Sequence, residues 1–165
     1  MIIWIDGPYG IGKTNVAVRI YDKLKKEKIE LINSDNYYHK IIKEIAIFGG
    51  GTLPQNNKLF LNRFRKIIEE KISDSSKIII IDMAVTEPEC NHSNIFHFIL
   101  RASLNDIKKR IINDQDRDKE NSLYYLDSSM MFLQNNFKND IWIDTSNKNI
   151  DEIADRIIAY IENIK

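Results

Sequence analysis

The sequence has a single cysteine, Cys90, in 165 residues. No disulfide can form within the chain, and a reducing, cytoplasmic setting is expected. Neither sign of charge dominates, since 24 Lys and Arg face 24 Asp and Glu. A neutral chain lacks the basic face that sequence-independent nucleic-acid binding draws on. Nucleic acid is therefore not an expected partner, although a local cationic cleft for a small anion stays open. No run approaches the roughly twenty apolar residues of a membrane span. The apolar start stops at Asp6, too short for a signal peptide, so no integral membrane association is expected. Internal repeats and low-complexity tracts are missing. Glycine is scarce and clustered: of six, three fall within residues 7–14 and three are Gly49–Gly51.

What is present reads as globular. Apolar residues make up 43% of the chain, and its length suits one domain over residues 1–165. Short β-branched runs alternate with helical periodicity. Residues 2–5, 29–33, 77–83, 94–100 and 140–146 read as strands. The clearest is KIIIIDM, whose consecutive apolar positions suit a strand covered on both faces. Val16, Ile20 and Leu24 step by four, as do Phe60, Phe64, Ile68 and Ile72, and so do Ile153, Ile157 and Ile161. Ser103 with Asp106, and Asn149 with Glu152, have the spacing of helix-capping pairs. Alternating strands and helices predict an α/β fold, with a parallel sheet between helical layers. Ligands in such sheets gather at the carboxyl ends of the strands. Asp6, Ser34, Asp35, Asp82, Arg101 and Asp144 should line that edge.

The glycine cluster opens GPYGIGKT, residues 7–14, directly after an apolar run and before a helical pattern. The spacing Gly7, Gly12, Lys13, Thr14 matches G-x-x-x-x-G-K-[ST]. In that pattern glycines let the backbone curl so that N–H groups face an anion. The helix start adds its own N–H groups and its dipole. Lysine reaches the outer phosphates, and the threonine hydroxyl ligates magnesium. Gly7, Pro8, Tyr9, Gly10, Ile11, Gly12, Lys13 and Thr14 are accordingly expected to cradle the polyphosphate of a nucleotide. Asp82, ending the KIIII strand, is expected to share the Mg2+ ion with Thr14. Asp6 reads as a support for the loop.

Other users of this cradle fit less well. A GTPase would carry D-x-x-G where DMAVTEP stands, and N-K-x-D where NKNID stands. A motor ATPase would need a longer chain and an arginine finger. A small-molecule kinase remains, with two long excursions to serve it: residues 34–76 as an acceptor-side helical insert and residues 114–122 as a lid.

The segments MIIWIDGPYGIGKT, KIIIIDMAVTEPE and HFILRASLNDIKKRI resemble the P-loop kinase group of nucleoside monophosphate kinases, shikimate kinase and chloramphenicol phosphotransferase. Within that group they are most similar to the tunicamycin-resistance proteins. The resemblance implies a three-layer P-loop fold with a five-stranded parallel sheet in the order 2-3-1-4-5 and helices on both faces. It also implies ATP and Mg2+ as cofactors, and an antibiotic-resistance-like role. It implies that Arg110 and Arg117 face the ATP, and that Ser146 and Asn147 border the adenine. This sequence departs from the group in having Arg117 alone in its lid and no second glycine-rich loop after Asp82.

In relatives that phosphorylate a hydroxyl, an aspartate just after the second strand contacts the acceptor, and Asp35 stands there. A carboxylate so placed can orient the hydroxyl and accept its proton. Lys13, Asp35, Arg110 and Arg117 form the expected catalytic set. Tyr37, Tyr38 and His39 are candidate walls for a ring-bearing substrate. Arg63, Arg65 and Arg101 are candidates for an acidic one. His92 and His97 read as structural. The expected partner is a small-molecule acceptor, and the expected assembly is a monomer or homodimer. Two other readings stay open: a nucleoside or nucleotide kinase, and an ATP-dependent binding protein that sequesters a drug or partner without turnover.

Overall fold

The computed structural model describes residues 1–25, 28–47, 58–72, 77–83, 94–115 and 117–163. Gly49–Gly51, Cys90 and His92 lie outside the described residues, as does Asp116 of the expected lid.

Five parallel strands form one sheet in the order β2-β3-β1-β4-β5. They are β1 (Ile2–Asp6), β2 (Ile29–Asn33), β3 (Ile78–Asp82), β4 (Ile95–Arg101) and β5 (Ile141–Asp144). The central β1 is buried along its whole length. Alternation along it sends Ile3 and Ile5 to one face and Ile2 and Trp4 to the other.

The first face packs mainly on three helices, with Leu126 of a fourth joining them. The three are α1 (Lys13–Leu24), α4 (Leu104–Asn113) and α6 (Ile150–Glu162), which contribute Val16, Ile20, Ile107, Ile111, Ile153 and Ile157. The second face packs on α2 (Ser34–Ile47) and α3 (Lys58–Ile72) through Ile41, Phe64 and Ile68. Both faces are covered, so the strands carry apolar residues at consecutive positions. On the same face as Trp4, Ile99 of β4 meets Leu133 of α5 (Lys119–Asn136) and Phe137.

The expected strand order is the one observed. Strand ends differ by a residue or two from the sequence reading. β5 stops at Asp144 because its carboxylate accepts from Ser146 N at 2.8 Å, turning the backbone out of the ladder. Ser103 caps α4 by accepting from Asp106 N at 3.1 Å. Asn149 and Glu152 form a reciprocal capping box on α6.

α1 and α6 lie side by side, and exposed ion pairs align them. Asp151 meets Arg19 at 2.6 Å and Lys23 at 3.1 Å, and Asp155 meets Lys23 at 2.5 Å. Such pairs set register more than stability, because water screens them. The packed apolar seam beneath them holds the two helices together.

Candidate functional site

The site begins where β1 ends. Gly7, Gly10 and Gly12 all take positive φ, at 152°, 77° and 102°. Two of them show different reasons for glycine. At Gly10 a Cβ would lie 2.2 Å from Ile111 Cγ1, so both space and backbone forbid a side chain. At Gly12 nothing lies within 4 Å, and only the left-handed backbone demands glycine. Asp6, fully buried, accepts from Gly7 N at 2.5 Å and ties the loop to the sheet. It supports the loop as the sequence suggested.

The start of α1 contrasts with those of α4, α5 and α6. Ser103, Asp118 and Asn149 close α4, α5 and α6 with side-chain hydrogen bonds. α1 has Gly12 at its cap, with no side-chain hydrogen bond there and no acid in its first turn. Its leading N–H groups and positive dipole end are left for an anion.

Lys13 folds back over the loop. Its Nζ donates to Gly7 O at 3.1 Å and Pro8 O at 3.2 Å, and lies 5.8 Å from the centre of the Tyr9 ring. Desolvation lowers its pKa, against the opposing pull of Asp6, Asp82 and Asp35, while the Arg117 charge lowers it further. Asp82 is buried, and burial raises its pKa; the Thr14 side-chain hydrogen bond and the Lys13 charge act the other way, while Asp35 and Asp6 add to the rise. A hydroxyl beside a desolvated carboxylate is a donor set that suits magnesium, and a divalent charge would relieve the cost of burying Asp82. Among the described residues no three His, Cys, Asp or Glu side chains cluster as a metal cage. A magnesium ion here would therefore take its remaining ligands from phosphate and water, as that ion commonly does.

Lys13, Thr14, Asp82, Asp35 and Arg117 thus share one electrostatic neighbourhood. Asp35 sits exposed in the first turn of α2, and its N–H donates to Asn33 Oδ1 at 2.8 Å. Arg117 Nε pairs with Asp114 at 3.0 Å.

Arg110 is more constrained than the sequence suggested. Its guanidinium donates to Ile11 O at 3.1 Å, Thr145 Oγ1 at 3.0 Å and Thr145 O at 2.9 Å. It clasps the phosphate loop to the segment after β5. Thr145 is fully buried and donates in turn to Arg101 O, both from its hydroxyl and from its N–H. Ser146 and Asn147 follow on this fixed turn, where Asn147 takes φ 54°.

Sequence reasoning missed Thr145, for which no motif speaks. It read the buried His97 as structural but did not find its partners: Nε2 lies 3.5 Å from Asp6 Oδ2 and Nδ1 lies 3.1 Å from Asp140 Oδ1. A polar residue inside an apolar strand was the signal, and the two carboxylates that explain it come from distant segments.

The acceptor candidates scatter. Tyr37 packs edge-on against Phe64. Tyr38 and His39 fall on α2, and their side chains lie outside what the structure describes. Arg63 pairs with Glu44 at 2.7 Å, and Arg65 also has interactions of its own. Arg101 is exposed at the end of β4. Among the described residues no helix is long and apolar enough to cross a membrane.

No protein-family model matches the sequence, and no curated protein does either. Solved structures do match, along nearly the whole chain. The tunicamycin resistance protein of Deinococcus radiodurans superposes with a TM-score of 0.68 at 17% identity, over 98% of this chain and 95% of its own. A gluconokinase from Sinorhizobium meliloti gives 0.68 at 14% identity, over 98% and 91%. The shikimate kinase of Acinetobacter baumannii, solved with shikimate, gives 0.66 at 19% identity, over 99% and 94%. At these identities the likeness is one of fold, and that fold is the P-loop kinase fold.

Proposed function

We propose that the chain is an ATP- and magnesium-dependent phosphotransferase acting on a small molecule. The observation that carries this reading is the convergence of a desolvated Lys13, the Thr14–Asp82 pair and Asp35 beside an uncapped helix start. Gly7 to Thr14 hold the triphosphate with main-chain N–H groups. Bound magnesium, held by Thr14 and Asp82, supplies charge neutralisation on the phosphates. Lys13 trades its carbonyl partners for phosphate oxygens, and its ammonium spreads the charge that develops in transfer. Asp35 orients the acceptor hydroxyl and takes its proton. The acceptor oxygen then bonds to the terminal phosphorus as the bond to the ADP oxygen breaks. Arg117 leaves Asp114 to meet the phosphates when residues 114–122 close. Arg110 keeps loop and adenine-side segment together, with Ser146 and Asn147 along the base. Residues 34–76 form the acceptor side.

The test is incubation with ATP, magnesium and a panel of sugars, hydroxy acids, nucleosides, nucleotides and hydroxylated antibiotics. ADP formed with one acceptor and not with the rest supports the assignment. A nucleoside or nucleotide acceptor would place the enzyme with the nucleotide kinases.

One observation favours a second reading, sequestration without turnover. The lid's single arginine is already committed to Asp114, leaving few cations for the transition state. Saturable ligand binding that needs ATP and yields no ADP would select it.

A further inference from the structure

A cavity of about 340 Å³ opens beside the phosphate loop, lined by Pro8 and not by Lys13. Its volume lies within the range of small-molecule sites, roughly 300–1,000 Å³. Its floor is apolar, formed by Met130 and Leu133 of α5 and by Trp142 of β5. Its rim carries Arg101, Lys138 and Gln134, all exposed. Neither Arg101 nor Lys138 forms an ion pair with another described residue. Asp144, across the ladder from Arg101, has its carboxylate held by Ser146 N, and the guanidinium is the least of the influences on it. Trp142 is fixed in place, because its Nε1 donates to Phe137 O at 2.9 Å. The indole thus presents a rigid wall and asks nothing polar of a guest.

Two unpaired cations above an aromatic and aliphatic floor define a complementary ligand. Its body should be flat or cyclic and apolar, to cover Leu133 and Trp142. Its charge should be one carboxylate or sulfonate, to meet the guanidinium and the ammonium. We propose that this cavity is a binding site for a small ring-bearing monoanion, separate from the phosphate cradle. A guest there touches Pro8, whose carbonyl holds Lys13, so occupancy is communicated to the loop by direct contact.

The chain's two tryptophans make the test site-specific. Trp4 is buried under the sheet, 2% exposed, while Trp142 lines the cavity. The full chain labelled with 5-fluorotryptophan gives two fluorine resonances, assigned with Trp142→Phe. Titration with 2-naphthoate should move the Trp142 resonance saturably and leave that of Trp4 in place. Its neutral isostere, 2-naphthalenemethanol, should bind at least about threefold more weakly. Arg101→Gln and Lys138→Gln, both surface changes, should each weaken the naphthoate by about threefold and leave the melting temperature unchanged. Saturating ATP with magnesium should leave the titration saturable. The proposal is overturned if the Trp142 resonance stays put up to about 10 mM naphthoate. It is equally overturned if acid and alcohol bind alike, if both variants bind as wild type, or if ATP competes the naphthoate away.

Discussion

The two halves of the sheet's carboxyl edge are held in opposite ways. On the β1–β4–β5 side, polar groups are anchored to backbone: Asp6 to Gly7 N, Lys13 to two carbonyls, Arg110 to Ile11 and Thr145. On the β2 side, Asp35 is exposed, and its N–H is held by the Asn33 side chain. A phosphate site recognises one unvarying group and gains from rigidity, because donors fixed in advance cost no reordering when the anion arrives. An acceptor side must admit and release a partner, and freedom there is compatible with turnover.

Substitutions can break that comparison, and the largest effects belong to the anchored half. Lys13→Ala should weaken ATP binding by at least about 100-fold, read by calorimetry, while the melting temperature stays within a few degrees. Wild-type ATP affinity in that variant would remove the basis of the cradle. Asp35→Asn should lower turnover by about 10²- to 10⁴-fold with ATP binding intact. An equal loss of ATP affinity would show that Asp35 belongs to the rigid half. Gly10→Ala should destabilise the fold by about 2–4 kcal/mol, since strain at positive φ adds to the clash with Ile111. Denaturant unfolding measures it. Arg110→Gln should cost about 1–3 kcal/mol through the stranded Thr145 and Ile11 carbonyls, and should loosen the nucleotide as well.

The smallest effect to measure is the dependence on pH. Burial raises the Asp82 pKa, so as pH falls its carboxylate is protonated earlier than an ordinary one, and magnesium affinity should fall with it. Desolvation lowers the Lys13 pKa, so as pH rises its ammonium is lost earlier than usual, and ATP affinity of the free protein should fall. Nucleotide binding should therefore be confined on both sides. A profile flat through the neutral range and down to the ordinary carboxylate region would contradict the Asp82 limb.

What could be read from the sequence was what is encoded locally. The loop from Gly7 to Thr14 is contiguous, and its strand and helix lie on either side. The capping pairs at Ser103 and Asn149 span three residues. The strand order followed from a resemblance alone, and the parallel sheet from the alternation of strands and helices. Arg110 was named through the resemblance, but its partners were not: they lie 99 and 35 residues away, and no local pattern encodes such a clasp. The same holds for His97, between Asp6 and Asp140. On the acceptor side the candidates rested on residue type alone. The structure pairs Arg63 with Glu44 and turns Tyr37 into Phe64, which local spacing could not foretell.

The seam between α1 and α6 has a consequence for biosynthesis. The octapeptide that would grip ATP is synthesised well before residues 150–162, the helix that buttresses α1. Thr145, which secures Arg110, also emerges late. A chain truncated after residue 139 is therefore expected to pass through immobilised ATP, and one that includes residues 1–163 to be retained.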